Sequence, residues 1–235
     1  MGKGLEMQKH EFDAYIKDYR KNLDAPLALS GESSAFFAEY KVQKMAEWFC
    51  DLLTKKQAIL DYGCGDGLMT SYAKKYFPQS MLFGIDPSSK SIEDGKRQYA
   101  DIEFDVLQNN KMPYKDASMD VIYSAGVFHH IPFDEHQACA QEIFRVLKPG
   151  GIFILFELNP FNPLTVLTFK RSPVDQNATM VFPQKARKLL KPFGSLTTKY
   201  YCFFPAFLKK LRGFERFMIK IPLGALYAII VTKSK

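Results

Sequence analysis

The stretch from Ile59 to Gly67 restricts the possible folds of this chain more than any other. A short apolar run ends at Asp61, and glycines then occupy every second position up to Gly67. This pattern predicts a buried strand that stops at a tight turn and continues into a helix from Leu68. Glycine permits positive φ and leaves backbone amides open to a ligand, so the turn is also a candidate binding element.

A second apolar run, residues 81–85, ends at Asp86. In a strand–helix–strand unit, an acidic residue at this point is placed to accept hydrogen bonds from ribose hydroxyls. The dinucleotide-binding fingerprint would need glycine at position 68, where this chain has leucine, so a dehydrogenase is disfavoured. The observed glycine spacing, led by Asp61, favours a ligand that carries an ammonium group and no pyrophosphate.

Apolar runs alternate with helical patterns, which indicates a parallel sheet covered by helices on both faces. We predict an α/β fold: a Rossmann-like, doubly wound, mostly parallel seven-stranded sheet with an N-terminal helical cap and C-terminal helical and loop additions. The predicted strands are 57–62, 81–86, 102–106, 119–124, 151–158, 195–204 and 224–233. Ligands of such sheets bind at the carboxyl ends of the strands. One crevice should therefore contain the polar residues at four strand ends: Asp61, Asp86, Asp105 and Ser124.

Five segments in this order resemble the class I S-adenosylmethionine-dependent methyltransferases. They are 61–67, Asp86, 104–106, 124–131 and 145–151. The resemblance covers roughly residues 55–158. A looser likeness of 159–165, 203–205 and 222–227 to an uncharacterised bacterial subgroup of these enzymes implies no activity.

The resemblance implies S-adenosylmethionine as cofactor and S-adenosylhomocysteine as its product. It assigns the cofactor contacts as follows: Asp61, Gly63, Cys64 and Gly65 at the methionine end, Asp86 and Pro87 at the ribose, Asp105 and Val106 at the adenine, and Ser124 and Ala125 beside the sulfonium. We expect one domain over residues 1–235, with an N-terminal helical cap (1–54), a cofactor-binding core (55–158) and a basic part with the last strands and substrate-side insertions (159–235).

Two adjacent histidines follow the fourth predicted strand. His129 is the candidate catalytic residue, since an imidazole with a pKa near neutrality can accept a proton from a hydroxyl or enol acceptor. His130 is expected to be buried and hydrogen-bonded, holding the loop in place. A metal site built from this pair and His136 is disfavoured, because the spacing matches none of the zinc patterns. We therefore expect no metal.

Candidate substrate-binding residues lie on both sides of the core. The resemblance implies that the N-terminal segment folds over the cofactor, which makes Tyr15, Tyr19 and Phe37 candidate pocket walls; packing against the sheet is the alternative. Glu157 and Asn159 come at the end of the fifth predicted strand and should face the crevice.

Composition indicates the kind of protein and the cellular compartment. The chain has 235 residues with 47% hydrophobic content, which suits a folded domain. No apolar run approaches the roughly 20 residues that span a bilayer, and the N-terminus lacks an apolar signal region. The four cysteines form no Cys-x-x-Cys pair, which predicts reduced thiols in a cytoplasmic protein.

Positive charge is concentrated in the last third of the chain. The net charge is +7, and Asp175 and Glu215 are the only acidic residues beyond residue 158. Residues 205–222 combine aromatic and basic residues at helical spacing, which is typical of peripheral contact with a membrane or anionic lipid and also of an ordinary docked helix. RNA is a further candidate partner for this charge.

These observations predict an S-adenosylmethionine-dependent methyltransferase that acts on a small-molecule or lipid-like acceptor. An RNA methyltransferase and a non-catalytic S-adenosylmethionine-binding protein are the alternatives.

Overall fold

A mixed sheet forms the centre of the molecule. The computed structural model describes residues 19–235. Within them the strands are β1 (Ala58–Tyr62), β2 (Met81–Asp86), β3 (Glu103–Val106), β4 (Met119–Ala125), β5 (Leu147–Leu158), β6 (Gly194–Tyr201) and β7 (Leu226–Lys233). They pair in the order β3-β2-β1-β4-β5-β7-β6. The first five are parallel, and β7 is antiparallel to both β5 and β6.

Helices cover the sheet and its carboxyl edge. They are α1 (Tyr19–Leu27), α2 (Ser34–Trp48), α3 (Leu68–Tyr76), α4 (Ser89–Gln98), α5 (His136–Val146), α6 (Pro163–Arg171), α7 (Pro183–Leu190) and the short α8 (Glu215–Met218). A 3₁₀ segment, Ala206–Phe214, leads into α8. Ser33 caps α2 by accepting a hydrogen bond from the Phe36 amide.

The strand order confirms the predicted fold class. β1 is buried along its whole length, which explains its continuous apolar sequence. The order reverses at β1, which lies between β2 and β4. The carboxyl ends of β1, β2 and β4 therefore open a crevice at the place where doubly wound sheets bind ligands.

The boundaries of several elements differ from the sequence predictions. β6 ends at Tyr201, three residues earlier than predicted. β5 begins at Leu147 rather than at residue 151, because Leu147 already pairs with Met119 ahead of the turn at Gly150. Residues 205–222 do not form one amphipathic α-helix, and Leu208 departs from helical backbone angles.

The N-terminal helices and the segment before β7 are joined by polar contacts. The Tyr40 hydroxyl donates a hydrogen bond to Glu215 Oε2 over 2.6 Å, and Arg212 pairs with Glu32 over 2.6 Å. α2 also packs against α3. These contacts hold α2 between the segment before β7 and α3. Of the helices within residues 19–235, none has the length and apolar character needed to cross a bilayer.

Candidate cofactor and substrate site

A cavity of about 400 Å³ lies at the carboxyl ends of β1, β2 and β4, and it has the size of a small-molecule site. The sequence-predicted residues that line it are Phe37, Asp61, Gly63, Cys64, Gly65, Asp86, Pro87, Ala125 and His129. Its walls are completed by α1 and α2, as the resemblance implies for the N-terminal segment, and by α6 and the segment before β7.

The glycine turn supplies the floor of the cavity. Gly63 and Gly65 have φ of 80° and 55°, and the amides of Gly63 and Cys64 both donate to the Ile85 carbonyl. Asp86 Oδ2 accepts a hydrogen bond from the Gly65 amide over 2.9 Å. A Cβ built on Gly65 would meet nothing within 4 Å, so the backbone there is bare towards the cavity. A ligand can thus approach the turn closely.

Asp61 is a buried carboxylate at one end of this cavity. Its Oδ2 accepts a hydrogen bond from the Thr70 hydroxyl over 2.7 Å. Burial raises the pKa of Asp61 to about 7, although the Thr70 hydrogen bond and the Lys41 charge oppose that rise. A ligand ammonium beside Asp61 would favour its ionised form. The Asp86 carboxylate can accept hydrogen bonds from hydroxyl groups. Together, the two carboxylates fit a cationic nucleoside such as S-adenosylmethionine.

Three of the predicted cofactor residues stand back from the cavity. The described residues that line the cavity do not include Asp105, Val106 or Ser124. Asp105 lies beside Tyr114, whose pKa is raised by burial and by that carboxylate. Ser124 is buried with its hydroxyl unpaired. Their assignment to adenine and sulfonium stays a prediction.

A buried ionic network borders the opposite wall. His129 Nδ1 donates to Glu157 Oε2 over 2.7 Å, and its Nε2 lies 3.3 Å from Asp175 Oδ1. Burial alone would lower the pKa of His129, but the two carboxylates outweigh it and raise that pKa to about 10. Burial and the neighbouring His129 charge lower the pKa of His130. The imidazolium of His129 therefore neutralises part of the carboxylate charge.

His129, His130 and Asp175 are also the described residues that could hold a metal ion, with ligand atoms within 4.8 Å of one another. His136 lies outside this group, and its Nε2 donates to the carbonyls of Phe128 and Ile131. The prediction that no metal is used stays a prediction.

The predicted substrate residues take different places. Phe37 lines the cavity. Glu157 and Asn159 are buried behind its wall: Glu157 accepts from the Phe128 amide and His129, and the Asn159 amide group donates to the carbonyls of Pro222 and Gly224. They support the wall and do not face the cavity as expected. Tyr15 lies outside the described residues, and Tyr19 is the first residue of α1.

Sequence patterns missed Lys41, Asp175 and Arg212, all of which line the cavity. Lys41 carried a signal, since it interrupts the apolar positions of α2 four residues after Phe37 and four before the buried Met45. Asp175 carried none, because a long connection brings it to His129.

Comparison with known proteins identifies the family of the segment that contains this site. Residues 60–155 match the family profile described as a methyltransferase domain. The match begins within β1 and ends within β5, and it includes the glycine turn and Asp86. Residues 60–155 are a methyltransferase domain of the class I S-adenosylmethionine-dependent family. The resemblance predicted from sequence is thereby confirmed.

Two relatives illustrate the range of this methyltransferase family. A fatty-acid O-methyltransferase from Mycolicibacterium smegmatis is 26% identical over 151 residues, which cover 63% of this chain and 54% of that protein. A demethylmenaquinone methyltransferase from Thermotoga maritima is 32% identical over 106 residues, which cover 45% of each chain. The matched region spans about half the length of these relatives.

Solved methyltransferase structures extend the likeness over nearly the whole chain. A Thermotoga maritima protein described as an S-adenosylmethionine-dependent methyltransferase, possible histamine N-methyltransferase, has a TM-score of 0.68. The similarity covers 96% of this chain and 99% of that one. At 17% sequence identity, it is a likeness of fold alone.

Proposed function

We propose that this chain transfers the methyl group of S-adenosylmethionine to a small-molecule or lipid-like acceptor. One observation carries the proposal: Asp61, Asp86 and the bare backbone at Gly65 line a single cavity at the reversal point of the sheet. Family membership supports the same cofactor.

The bound cofactor supplies a methyl group already activated by its sulfonium. The contribution of the chain is to hold two reactants in line at short distance. We assign the ammonium of the cofactor to Asp61, its ribose hydroxyls to Asp86, and close backbone contact to Gly63 and Gly65.

His129 is the predicted catalytic residue, and it lines the cavity. Its raised pKa keeps the imidazole protonated near neutral pH, because Glu157 and Asp175 stabilise the charge. A protonated imidazole cannot act as a base. We therefore propose that His129 orders this wall as a positioning residue.

The acceptor side of the cavity is mainly apolar, which supports a small organic or lipid-like acceptor. The apolar side chains there include Leu158, Leu164, Phe169, Phe203 and Leu226. The two relatives described above are named for a fatty acid and a quinone precursor, and both names fit such a pocket.

Peripheral membrane contact through residues 205–222 forms part of this proposal. Phe207, Phe214 and Phe217 have 80%, 60% and 71% of their surface exposed. Exposed basic residues surround them: Lys209, Lys210, Arg216 and Lys220. Exposed aromatic rings beside cations suit an anionic membrane surface, and Pro205 at the start of the segment lines the cavity.

Calorimetric titration with S-adenosylhomocysteine tests the cofactor assignment. The wild type should bind one equivalent, and Asp86→Ala should weaken binding at least about tenfold, because it removes charge-assisted hydrogen bonds. Asp101→Ala, at an exposed position, is the matched control. Absence of binding by the folded wild type would contradict the proposal.

A further inference from the structure

Besides the His129 imidazolium, the described part of the cavity is lined by two cationic side chains, Lys41 and Arg212, which differ in their partners. The Arg212 guanidinium pairs with Glu32 over 2.6 Å and donates to the Phe204 carbonyl. Lys41, on α2, forms no ion pair or hydrogen bond with any residue from 19 to 235. An unpaired ammonium beside a largely apolar cavity is energetically costly.

The two carboxylates whose charges act on Lys41, Glu157 and Asp61, already have other partners. Glu157 uses one oxygen for the Phe128 amide and the other for His129. Asp61 accepts from Thr70 and lies where the ammonium of the cofactor is expected. Burial lowers the pKa of Lys41, and the charges of Glu157 and Asp61 offset only part of that effect. Lys41 thus has unused capacity for an anion inside the cavity.

We propose that Lys41 binds the carboxylate of an apolar acid and that this carboxylate is the methyl acceptor. The proposal rests on the proposed function, because it names the acceptor class of the same site. A single lysine suits a monoanion, whereas phosphate groups are commonly held by several donors or by the planar fork of arginine. The apolar walls formed by Leu158, Phe169 and Leu226 suit the remainder of such an acid.

Methylation of a carboxylate agrees with the chemistry of the cavity. A carboxylate oxygen donates a lone pair to the methyl carbon, the bond from that carbon to sulfur breaks, and its electron pair stays on sulfur. The sulfonium becomes a neutral thioether, the acid becomes a neutral ester, and no proton is released. No general base is needed, which matches the protonated state of His129. The ester no longer carries the charge that Lys41 attracts, so product release is favoured.

The test compares carboxylic acids with uncharged acceptors that have the same hydrocarbon chain. Straight-chain acids from octanoate to hexadecanoate, together with a phenylalkanoic acid, are assayed beside the corresponding alcohols with the full chain and S-adenosylmethionine. At least one acid should be methylated and its alcohol should not. Methylation of alcohols with no reaction of any acid would overturn the proposal, as would failure of every acid.

Variants of Lys41 separate acceptor binding from cofactor binding. Lys41→Met should raise KM for the best acid at least tenfold with a smaller change in kcat, and should weaken binding of that acid to the complex with S-adenosylhomocysteine. Lys41→Arg should restore part of the affinity. Lys44→Met is the control, because Lys44 lies on the same helix and pairs with Glu47. Circular dichroism and thermal melting establish that each variant is folded.

Binding of S-adenosylhomocysteine distinguishes the ways of failing. If Lys41→Met binds it as tightly as the wild type and loses the acid, the proposal stands. If the variant loses S-adenosylhomocysteine instead, Lys41 belongs to the cofactor site and the proposal is overturned. Failure of the wild type to bind S-adenosylhomocysteine would refute the proposed function itself.

Discussion

At the scale of single residues, the cofactor site depends on positions where a side chain is absent or buried. Gly65 offers bare backbone to the cavity, and Asp86 fixes its amide from the next strand. Asp61 is removed from water before any ligand arrives. These three positions can be tested separately, because each acts through a different physical property.

Substitution of Gly65 tests the bare backbone. Gly65→Ala should weaken S-adenosylhomocysteine binding at least about tenfold, because the new methyl group would occupy open space at a residue that lines the cavity. Positive φ will also cost about 1 kcal/mol of stability. Gly150→Ala is the matched control: its φ is 75° and its Cβ likewise meets nothing within 4 Å, but it lies away from the cavity. Calorimetry should find normal affinity in the control; equal affinities in both variants would contradict the placement of Gly65.

The pKa of Asp61 makes stability depend on pH. Its folded value of about 7 exceeds the ordinary value of 3.8, so the folded chain holds a proton that the unfolded chain releases. The stability from this proton is fully present below about pH 4 and is lost as the pH rises through 7. The free energy of unfolding, measured in urea without cofactor, should fall for the wild type between about pH 5 and pH 8. For Asp61→Asn that fall should be smaller by about 2 kcal/mol.

The neighbours of Asp61 define how that measurement is read. Asp86 raises its pKa, whereas Thr70 and Lys41 lower it. Asp101→Asn, at an exposed position, is the control. Identical pH slopes for Asp61→Asn and the wild type would show that Asp61 does not titrate in this range.

At the scale of elements, the segment from 205 to 222 owes its shape to one buried carboxylate. Glu215 accepts hydrogen bonds from the amides of Cys202, Phe203 and Phe204 and from the Tyr40 hydroxyl. An acid therefore occupies the inward position, and neighbouring aromatic rings remain exposed. The prediction of one helix was wrong here, because the segment is a 3₁₀ stretch that breaks at Leu208 and is followed by the four-residue α8.

Those exposed rings predict vesicle binding. Phe207→Ser with Phe217→Ser should reduce binding to vesicles of phosphatidylglycerol and phosphatidylcholine at least about fivefold, since the apolar contact is lost. Binding by the wild type should also weaken with salt. Met81→Ser with Phe133→Ser, at two exposed apolar positions outside the segment, is the control. Unchanged co-sedimentation would contradict the membrane proposal, and retention of tRNA in place of vesicles would favour the RNA alternative.

At the scale of the whole molecule, sequence reasoning succeeded where a position follows from local periodicity. Asp61 and Asp86 were located because each ends an apolar run, and parallel strands bring such ends to one edge. Lys41 reaches the cavity from the cap, and its break in the apolar positions of α2 was the only local signal for it. Asp175 reaches the cavity from the connection after β5, so its placement depends on tertiary packing that no local pattern encodes. Glu157 was misplaced for the same reason: its strand end was predicted, but its pairing with His129 was not.

The most direct test of the cofactor account is a crystal structure of the chain with S-adenosylhomocysteine. We predict that the ribose hydroxyls will lie within hydrogen-bond distance of Asp86, with the ammonium directed to Asp61 and the ligand backbone in contact with Gly63 and Gly65. Binding of S-adenosylhomocysteine elsewhere, with Asp61 and Asp86 facing solvent or protein alone, would contradict the central claim.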